Sequence, residues 1–306
     1  MKILIATEKP FAAAAVNGIR ETAAKGGLDV VLLEKYTDKA QLLEAVADAD
    51  ALIVRSDKVT EEVINAAKNL KIVVRAGAGY DNLDLPACTS RRIVAMNTPG
   101  QNANAVAELA ISMIIYMSRN QFTPGTGTEI SGKKIGIQAY GNVGRLVAKK
   151  AQALGMEVMA FDPFVTDETM KADNVVPAGS LEQMYSECNF ISLHIPATPQ
   201  TIGSIGYDLI SRMPAGGCLL NTARKEIINE AELVKVLTDR PDLKYVTDIA
   251  AGCQSELNEK FGKRVFATPK KMGAETAEAN INAGIAAARQ IVDFFTSGCT
   301  RFQVNK

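Results

Sequence analysis

Short apolar runs alternate with helix-period stretches along almost the whole chain. Residues 2–6 (KILIA), 29–34 (DVVLLE), 51–54 (ALIV), 71–77 (KIVVRAG) and 92–97 (RIVAMN) are rich in β-branched side chains and read as strands. Between them, 12–24, 38–48 and 60–68 read as helices. Strands apolar on both faces and joined by helices predict a parallel sheet covered on both sides. A long apolar helix is predicted near 102–119. Residues 121–132 (QFTPGTGTEISG) have no period and read as a boundary. A second series follows. Its strands are 134–138 (KIGIQ), 157–162 (EVMAFD), 189–195 (NFISLHI), 216–223 (GGCLLNTA), 243–250 (LKYVTDIA) and 264–268 (RVFAT). Its helices are expected near 142–155, 180–187, 206–212, 229–238 and 275–297. The pattern predicts an α/β chain with two doubly wound, Rossmann-like parallel-sheet domains. The last helix needs a partner for its apolar face and is expected to pack back on the first series. The expected domains are therefore 1–100 with 281–306, split around 101–280.

Composition narrows the function. The chain has 306 residues, 47% of them hydrophobic, with 34 Lys+Arg against 34 Asp+Glu. A zero balance gives no field for nucleic acid or an anionic membrane, so any anion site must be a local cluster. The start, MKILIATEKPF, has too short an apolar run for a signal-peptide core. The most apolar helical run, 105–117, is interrupted by Glu108 and too short to span a bilayer. Cys88, Cys188, Cys218, Cys253 and Cys299 are odd in number and scattered, which fits reduced thiols in a cytoplasmic protein. His194 is the only histidine, so no zinc cluster is expected.

Residues 136–162 (GIQAYGNVGRLVAKKAQALGMEVMAFD) carry the clearest chemistry. They read as strand, glycine-rich turn, helix, strand and a terminal acid, the arrangement that binds a dinucleotide. Ala139, Gly141 and Gly144 stand in the three glycine positions. Ala139 is tolerable there if its φ stays negative. Gly141 lets the backbone approach a pyrophosphate, Gly144 lets the helix pack on the sheet, and the amides of Asn142 and Val143 face the phosphate. Asp162 is placed to accept from the adenosine ribose. No Lys or Arg follows it closely, which favours NAD over NADP.

Further polar residues end predicted strands, where open α/β sheets bind ligands. His194 ends one, Arg224 lies in NTARKEII (221–228), and Asp248 lies in TDIA (247–250). In the first series, Arg55, Ser56 and Lys58 follow one strand, and Ala76, Gly77 and Ala78 follow another. The amides of Gly77 and Ala78 are candidates for an anion nest.

Read in order, VRAGAGYDNLDLPAC (74–88), NTPGQNANAVAEL (97–109), the AYGNVGR turn, NTARKEII, TDIA and TPKKMGAET (268–276) resemble the D-2-hydroxyacid dehydrogenases across nearly all of the chain. The resemblance is greatest to the phosphoglycerate-oxidising branch in its short form, since the sequence stops at QVNK (303–306). It implies NAD-dependent oxidation of a D-2-hydroxy acid, here 3-phosphoglycerate to 3-phosphooxypyruvate at the head of serine biosynthesis. It implies a dimer built through the nucleotide-binding domains, with 105–117 as a candidate contact. It also implies a catalytic arginine, matching Arg224, and cofactor contacts from His194, Ile195, Pro196, Thr222, Ala223, Arg224, Asp248, Gly273 and Ala274. Arg55 matches a phosphate-binding arginine, with Ser56 beside it. The second basic residue expected two positions on is Asp57, and Lys58 is the candidate replacement.

The family's catalytic histidine, paired with a glutamate, is where this sequence departs. Aligned on Gly273–Ala274, the histidine position is Lys271; aligned on Thr268–Pro269, it is Lys270. Lys271 is preferred because Gly-Ala opens the helix that fixes the side chain. The glutamate position, five residues after Asp248, is Cys253, with Glu256 as a candidate substitute. A carboxylate beside a lysine would hold its proton, so both losses fit a lysine base. Burial and Arg224 are expected to lower its affinity for the proton. Lys271 is thus the candidate base and a substrate contact. Two other readings are a different small hydroxy acid (glycerate or hydroxypyruvate) and a non-catalytic NAD(H)-sensing protein.

Overall fold

The computed structural model describes residues 1–306 and divides them into two compact units, 1–102 with 275–306, and 103–274. The expected second boundary, 280/281, falls instead at 274/275, because Thr276 caps the last helix by accepting from the Ala279 amide.

The first unit begins β1 (Lys2–Thr7), α1 (Ala13–Lys25), β2 (Asp29–Glu34), α2 (Lys39–Val46), β3 (Ala51–Val54), α3 (Glu61–Ala66), β4 (Ile72–Arg75), α4 (Leu85–Ser90) and β5 (Val94–Asn97). All five strands are parallel in the order β2-β1-β3-β4-β5. β3 is buried along its whole length, as its unbroken apolar run requires, whereas β2 at the edge is partly exposed. Register sets Val54 beside Arg75 and Arg75 beside Asn97, so the polar residues after β3, β4 and β5 gather at one end of the sheet. The six-residue α4 has no run long enough to predict. It forms because Asp84 accepts from the Ala87 amide and Pro86 presets the first turn.

The second unit opens with α5 (Ala103–Ser118). Then come β6 (Lys134–Gln138), α6 (Asn142–Ala153), β7 (Glu157–Phe161), α7 (Asp167–Ala172), β8 (Val176–Pro177), α8 (Leu181–Glu187), β9 (Phe190–Leu193), α9 (Tyr207–Ile210), β10 (Cys218–Asn221), α10 (Glu230–Asp239), β11 (Lys244–Thr247), α11 (Gln254–Phe261) and β12 (Val265–Ala267). The seven parallel strands run β12-β11-β10-β9-β6-β7-β8. One face is covered by an apolar layer containing Ile111, Ile114, Val147 and Ala151 from α5 and α6. The other carries Met184, Leu233, Val236 and Leu257 from α8, α10 and α11.

The chain then returns to the first unit as α12 (Ala277–Ser297). Its Ala283, Ala287, Ala288 and Ile291 join Ala15, Ile19 and Ala23 of α1 in one buried layer. Small residues allow the two helices to close up: a Cβ on Gly18 would lie 2.6 Å from Ile285 Cδ1. The tail is tied to β5, where Asn305 Oδ1 accepts from the Ala95 amide at 2.8 Å. No helix is long and apolar enough to cross a membrane, and all five cysteines are free thiols.

Candidate active site

In the second unit the strand order reverses between β6 and β9, the switch point at which open α/β sheets bind ligands. The turn after β6 is fixed by backbone bonds. Ala139 donates to Phe161 O at 2.9 Å, and Tyr140 donates to Asp162 Oδ2 at 2.8 Å. Ala139 has φ +77, so the expected negative φ is corrected. The turn demands this conformation because the Ala139 carbonyl faces Gly144, where a Cβ would lie 2.3 Å from that oxygen. An alanine in the left-handed region is strained by about 1–2 kcal/mol.

Gly141 is the N-cap of α6 and no side chain caps this helix. The first-turn amides of Asn142, Val143 and Gly144 therefore lack an intrahelical acceptor and point outward, with no acidic residue among them. A Cβ on Gly141 would meet no atom within 4 Å, so there is open room in front of these amides. Asp162 holds the end of β7 to the turn, its Oδ1 accepting from Phe164 N at 2.8 Å, and each oxygen keeps a lone pair for a ribose hydroxyl. Thr222, at the end of β10, buries a hydroxyl with no protein partner. Such a group is costly unless a ligand satisfies it. The residues present fit a dinucleotide.

His194 follows β9 and is half-buried, with its amide on Gln138 O at 2.9 Å and its Nε2 2.9 Å from Ser192 Oγ. Burial pushes its pKa down to about 4, so the ring is neutral at pH 7. Ile195 beside it is half-buried and Pro196 exposed.

The loop after β10 is shaped by buried Asn221, whose Oδ1 accepts from Ala223 N at 2.9 Å and whose Nδ2 donates to Arg224 O at 2.9 Å. That turn presents Arg224, half-buried, with Nη1 on Ala223 O. One strand further on, Asp248 is buried and its carboxylate grips the Lys270–Lys271 loop. Oδ1 accepts from Met272 N at 2.7 Å and lies 2.9 Å from Thr268 Oγ1, while Oδ2 accepts from Gly273 N at 2.7 Å. Gly273 is buried and Ala274 half-buried; a Cβ on Gly273 would press within 2.9 Å of Asp248 Oδ2. Lys270 and Lys271 are both exposed, which corrects the expectation that burial lowers the basicity of Lys271. The loop's backbone, not its lysine side chains, is what the core encloses.

Cys253 stands half-buried where a glutamate was expected. Glu230, at the start of α10, accepts from the Gly252 and Cys253 amides at 2.7 and 2.8 Å. Burial first, then Glu230, pushes the Cys253 thiol up to about 11. Glu256 is not a substitute carboxylate in this arrangement. It is exposed on α11 and paired with Lys260 at 2.7 Å.

In the first unit, Arg55 is half-buried beneath the Phe11 ring at 5.3 Å, and its Nη2 donates to Asn280 Oδ1 at 2.5 Å. Asp57 is buried and structural, with Oδ1 accepting from Glu8 N at 2.7 Å and Tyr36 OH at 2.8 Å; Ser56 and Lys58 are exposed. The proposed nest is reduced. Ala76 N donates to Val54 O and Gly77 N to Arg75 O, leaving the Ala78 amide. Arg75, not singled out from sequence, packs its guanidinium where a Gly77 side chain would be and donates through Nε to Arg55 O at 3.0 Å.

Comparison with known proteins decides the family. The profile of the D-isomer specific 2-hydroxyacid dehydrogenase catalytic domain matches residues 5–305. The chain belongs to the D-2-hydroxyacid dehydrogenases. Within that family it is 35% identical over 288 residues to a D-3-phosphoglycerate dehydrogenase of Synechocystis, covering 87% of this chain and 50% of that one. A hydroxypyruvate reductase of Thermotoga maritima is 33% identical over 281 residues, covering 86% and 90% respectively. A solved NAD+-bound 3-phosphoglycerate dehydrogenase of Entamoeba histolytica superposes with a TM-score of 0.88 at 52% identity, covering 100% of this chain and 99% of that one. The chain spans about half the length of the curated phosphoglycerate dehydrogenases it matches.

Proposed function

We propose that this D-2-hydroxyacid dehydrogenase uses NAD to oxidise 3-phosphoglycerate to 3-phosphooxypyruvate, with Lys271 as general base. The observation that carries the reading is the Lys270–Lys271 loop, held at the strand ends by Asp248, in a chain whose only histidine is neutral and bonded to Ser192. The uncapped first turn of α6 and Asp162 would hold the dinucleotide, and Thr222 would hydrogen-bond to it. When bound, its nicotinamide supplies the acceptor for the hydride leaving C2. Lys271 in its amine form takes the hydroxyl proton, so that proton and hydride leave C2–OH together as the ketone forms. Arg224 anchors the carboxylate and steadies the developing keto oxygen. Arg55, oriented by Asn280, takes the phosphate. The Entamoeba relative supports this substrate.

NADH absorbance with 3-phosphoglycerate at alkaline pH tests the reaction, and 3-phosphooxypyruvate reduction is the more sensitive direction. Lys271→Ala is expected to lower kcat by about 10²–10⁴-fold, with Lys270→Ala near wild type. Near-normal turnover in Lys271→Ala, with loss in Lys270→Ala, would move the base by one residue.

A second substrate has its own support. The Thermotoga hydroxypyruvate reductase aligns over 90% of its length, and Asp57 is buried where a second cation was expected. Preference for hydroxypyruvate over its phosphorylated analogue would select that reading. NADH binding with no turnover of either acid would select the non-catalytic one. A homodimer is proposed through the second unit. There an open apolar groove of about 490 Å³ is lined by Leu109, Met113, Tyr116, Phe122 and Phe266, and Phe122 is 70% exposed. Light scattering at micromolar concentration tests it. The free thiols suit a reducing, cytoplasmic setting.

A further inference from the structure

The second unit holds another polar recess at the opposite end of its sheet. It encloses about 210 Å³ where four neighbouring strands begin: Lys133 precedes β6, Asn189 and Phe190 open β9, Gly216 and Cys218 open β10, and Lys244 opens β11. Its roof is the last turn of α5, with Met117 and Ser118. The cofactor crevice lies at the other ends of these strands, so the two sites share no lining residue.

The chemistry of the lining has one sign. Two lysines face the recess, no acidic residue lines it, and neither lysine forms an ion pair. This is notable in a chain whose charges balance at 34 against 34, because half-buried cations usually find a carboxylate. Lys244 Nζ donates once, to Met117 O at 3.3 Å, which leaves further donors unused. Lys133 Nζ sits 6.0 Å from the Phe190 ring centroid. The Asn189 side chain accepts from Lys134 N through Oδ1, so its orientation is fixed with the amide NH2 still available. Ser118 is 5% exposed and its Oγ has no partner in the protein. A buried hydroxyl without a partner, beside two unpaired ammonium groups, describes a site whose missing member is an acceptor carrying negative charge.

We propose that this recess binds a small oxyanion, a phosphate or carboxylate group, between Lys133, Lys244, Asn189 and Ser118. Its volume corresponds to about seven water molecules at ~30 Å³ each, which admits a phosphate or a short carboxylic acid and excludes a nucleotide. Phosphate brings three or four acceptors to these donors and carboxylate two, so phosphate binds the more tightly of the two.

The experiment is calorimetric titration of inorganic phosphate, and in parallel acetate, into protein saturated with NADH and carrying Arg55→Gln. That background disables the proposed phosphate contact of the first unit. The expected Kd for phosphate is on the order of 1 mM, weakened about tenfold or more by Lys133→Gln. Lys133 holds no backbone group in place, so its loss tests binding without loosening α5, and Lys244→Gln is the second variant. Circular dichroism melts of both variants confirm folding. Acetate binding that exceeds phosphate binding, with the same loss in Lys133→Gln, keeps the site and reassigns its preferred ligand to a carboxylate. No heat from either anion, or heat unchanged in both folded lysine variants, overturns the proposal. The outcome does not depend on whether the chain turns over 3-phosphoglycerate.

Discussion

Replacing Asp248 separates two roles that the carboxylate could play. Family resemblance places it against the cofactor, whereas the structure commits both oxygens to the loop that carries Lys270 and Lys271. In Asp248→Ala the Met272 and Gly273 amides lose their acceptor together, while the Thr268 hydroxyl keeps the Asp248 and Lys270 carbonyls. At about 1–3 kcal/mol for each of the two donors left unsatisfied, partly recovered as the loop moves into water, the loss is about 2–4 kcal/mol. Asp248→Asn keeps one acceptor but sets its NH2 against one of the amides, for about 2 kcal/mol. Urea melts give the stability change, and hydrogen exchange at Met272 and Gly273 reads the loop directly. Dinucleotide affinity is measured separately by NADH fluorescence. A clamp predicts faster exchange at those two amides and a fall in kcat, with NADH affinity changed by less than about threefold. A pH–rate profile adds a readout that general loosening would not give, because a base carried on an unfixed loop loses its defined limb. Unchanged exchange at Met272 and Gly273 in Asp248→Asn, with NADH binding weakened tenfold, would refute the clamp and restore the direct cofactor contact.

Other outcomes follow from particular residues. Ala139→Gly relieves the positive φ, and after the added freedom of the unfolded chain it is expected to stabilise by up to about 1 kcal/mol, read as a higher Tm. Gly144→Ala drives a Cβ to 2.3 Å from Ala139 O and should cost more than about 2 kcal/mol and weaken NADH binding. His194 is depressed from 6.5 to about 4, so the unfolded chain binds the proton first on acidification. Stability present above about pH 6.5 is therefore lost as pH falls towards 4, by about 2–3 kcal/mol, and His194→Gln should flatten that slope. Arg55→Ala is expected to raise KM for a phosphorylated substrate by about tenfold or more while leaving kcat for an unphosphorylated one unchanged.

The long apolar runs of β1, β3, β6, β9 and β10 and the helices α5, α6 and α12 were legible because burial on both faces, or on one helical stripe, leaves a period in the chain. Short elements were not. α11 (QSELNEKF) is mostly polar and buries only Leu257 and Phe261, and α7 depends on Thr166 accepting from the Thr169 amide. The glycine-rich turn was legible in kind but not in conformation, because the sign of φ at Ala139 is set by Gly144 and β7 rather than by its own type. The groups that shape the site are joined across distances no local pattern records. Asp248 meets Gly273 across 25 residues, Glu230 meets Cys253 across 23, and Arg55 meets Asn280 across 225. Position against the family singles out Lys271 only as a candidate, and its exposure was not legible, since Thr268 and Asp248 bury the loop's backbone while both lysines stay exposed.

The return of α12 to the first unit has a consequence for synthesis. The sheet of residues 2–97 is complete when its last strand leaves the ribosome, but the helix that covers Ile19 and Ala23 begins about 180 residues later. At about 5–20 residues per second that interval is roughly 9–36 s, long enough for the contiguous second unit to fold while the first waits with an apolar face uncovered. The nascent chain thus passes through a stage in which its earliest-made part is its last to mature. Slow translation or a shortage of holding chaperones should reduce the yield of this protein more than a fall in its equilibrium stability would.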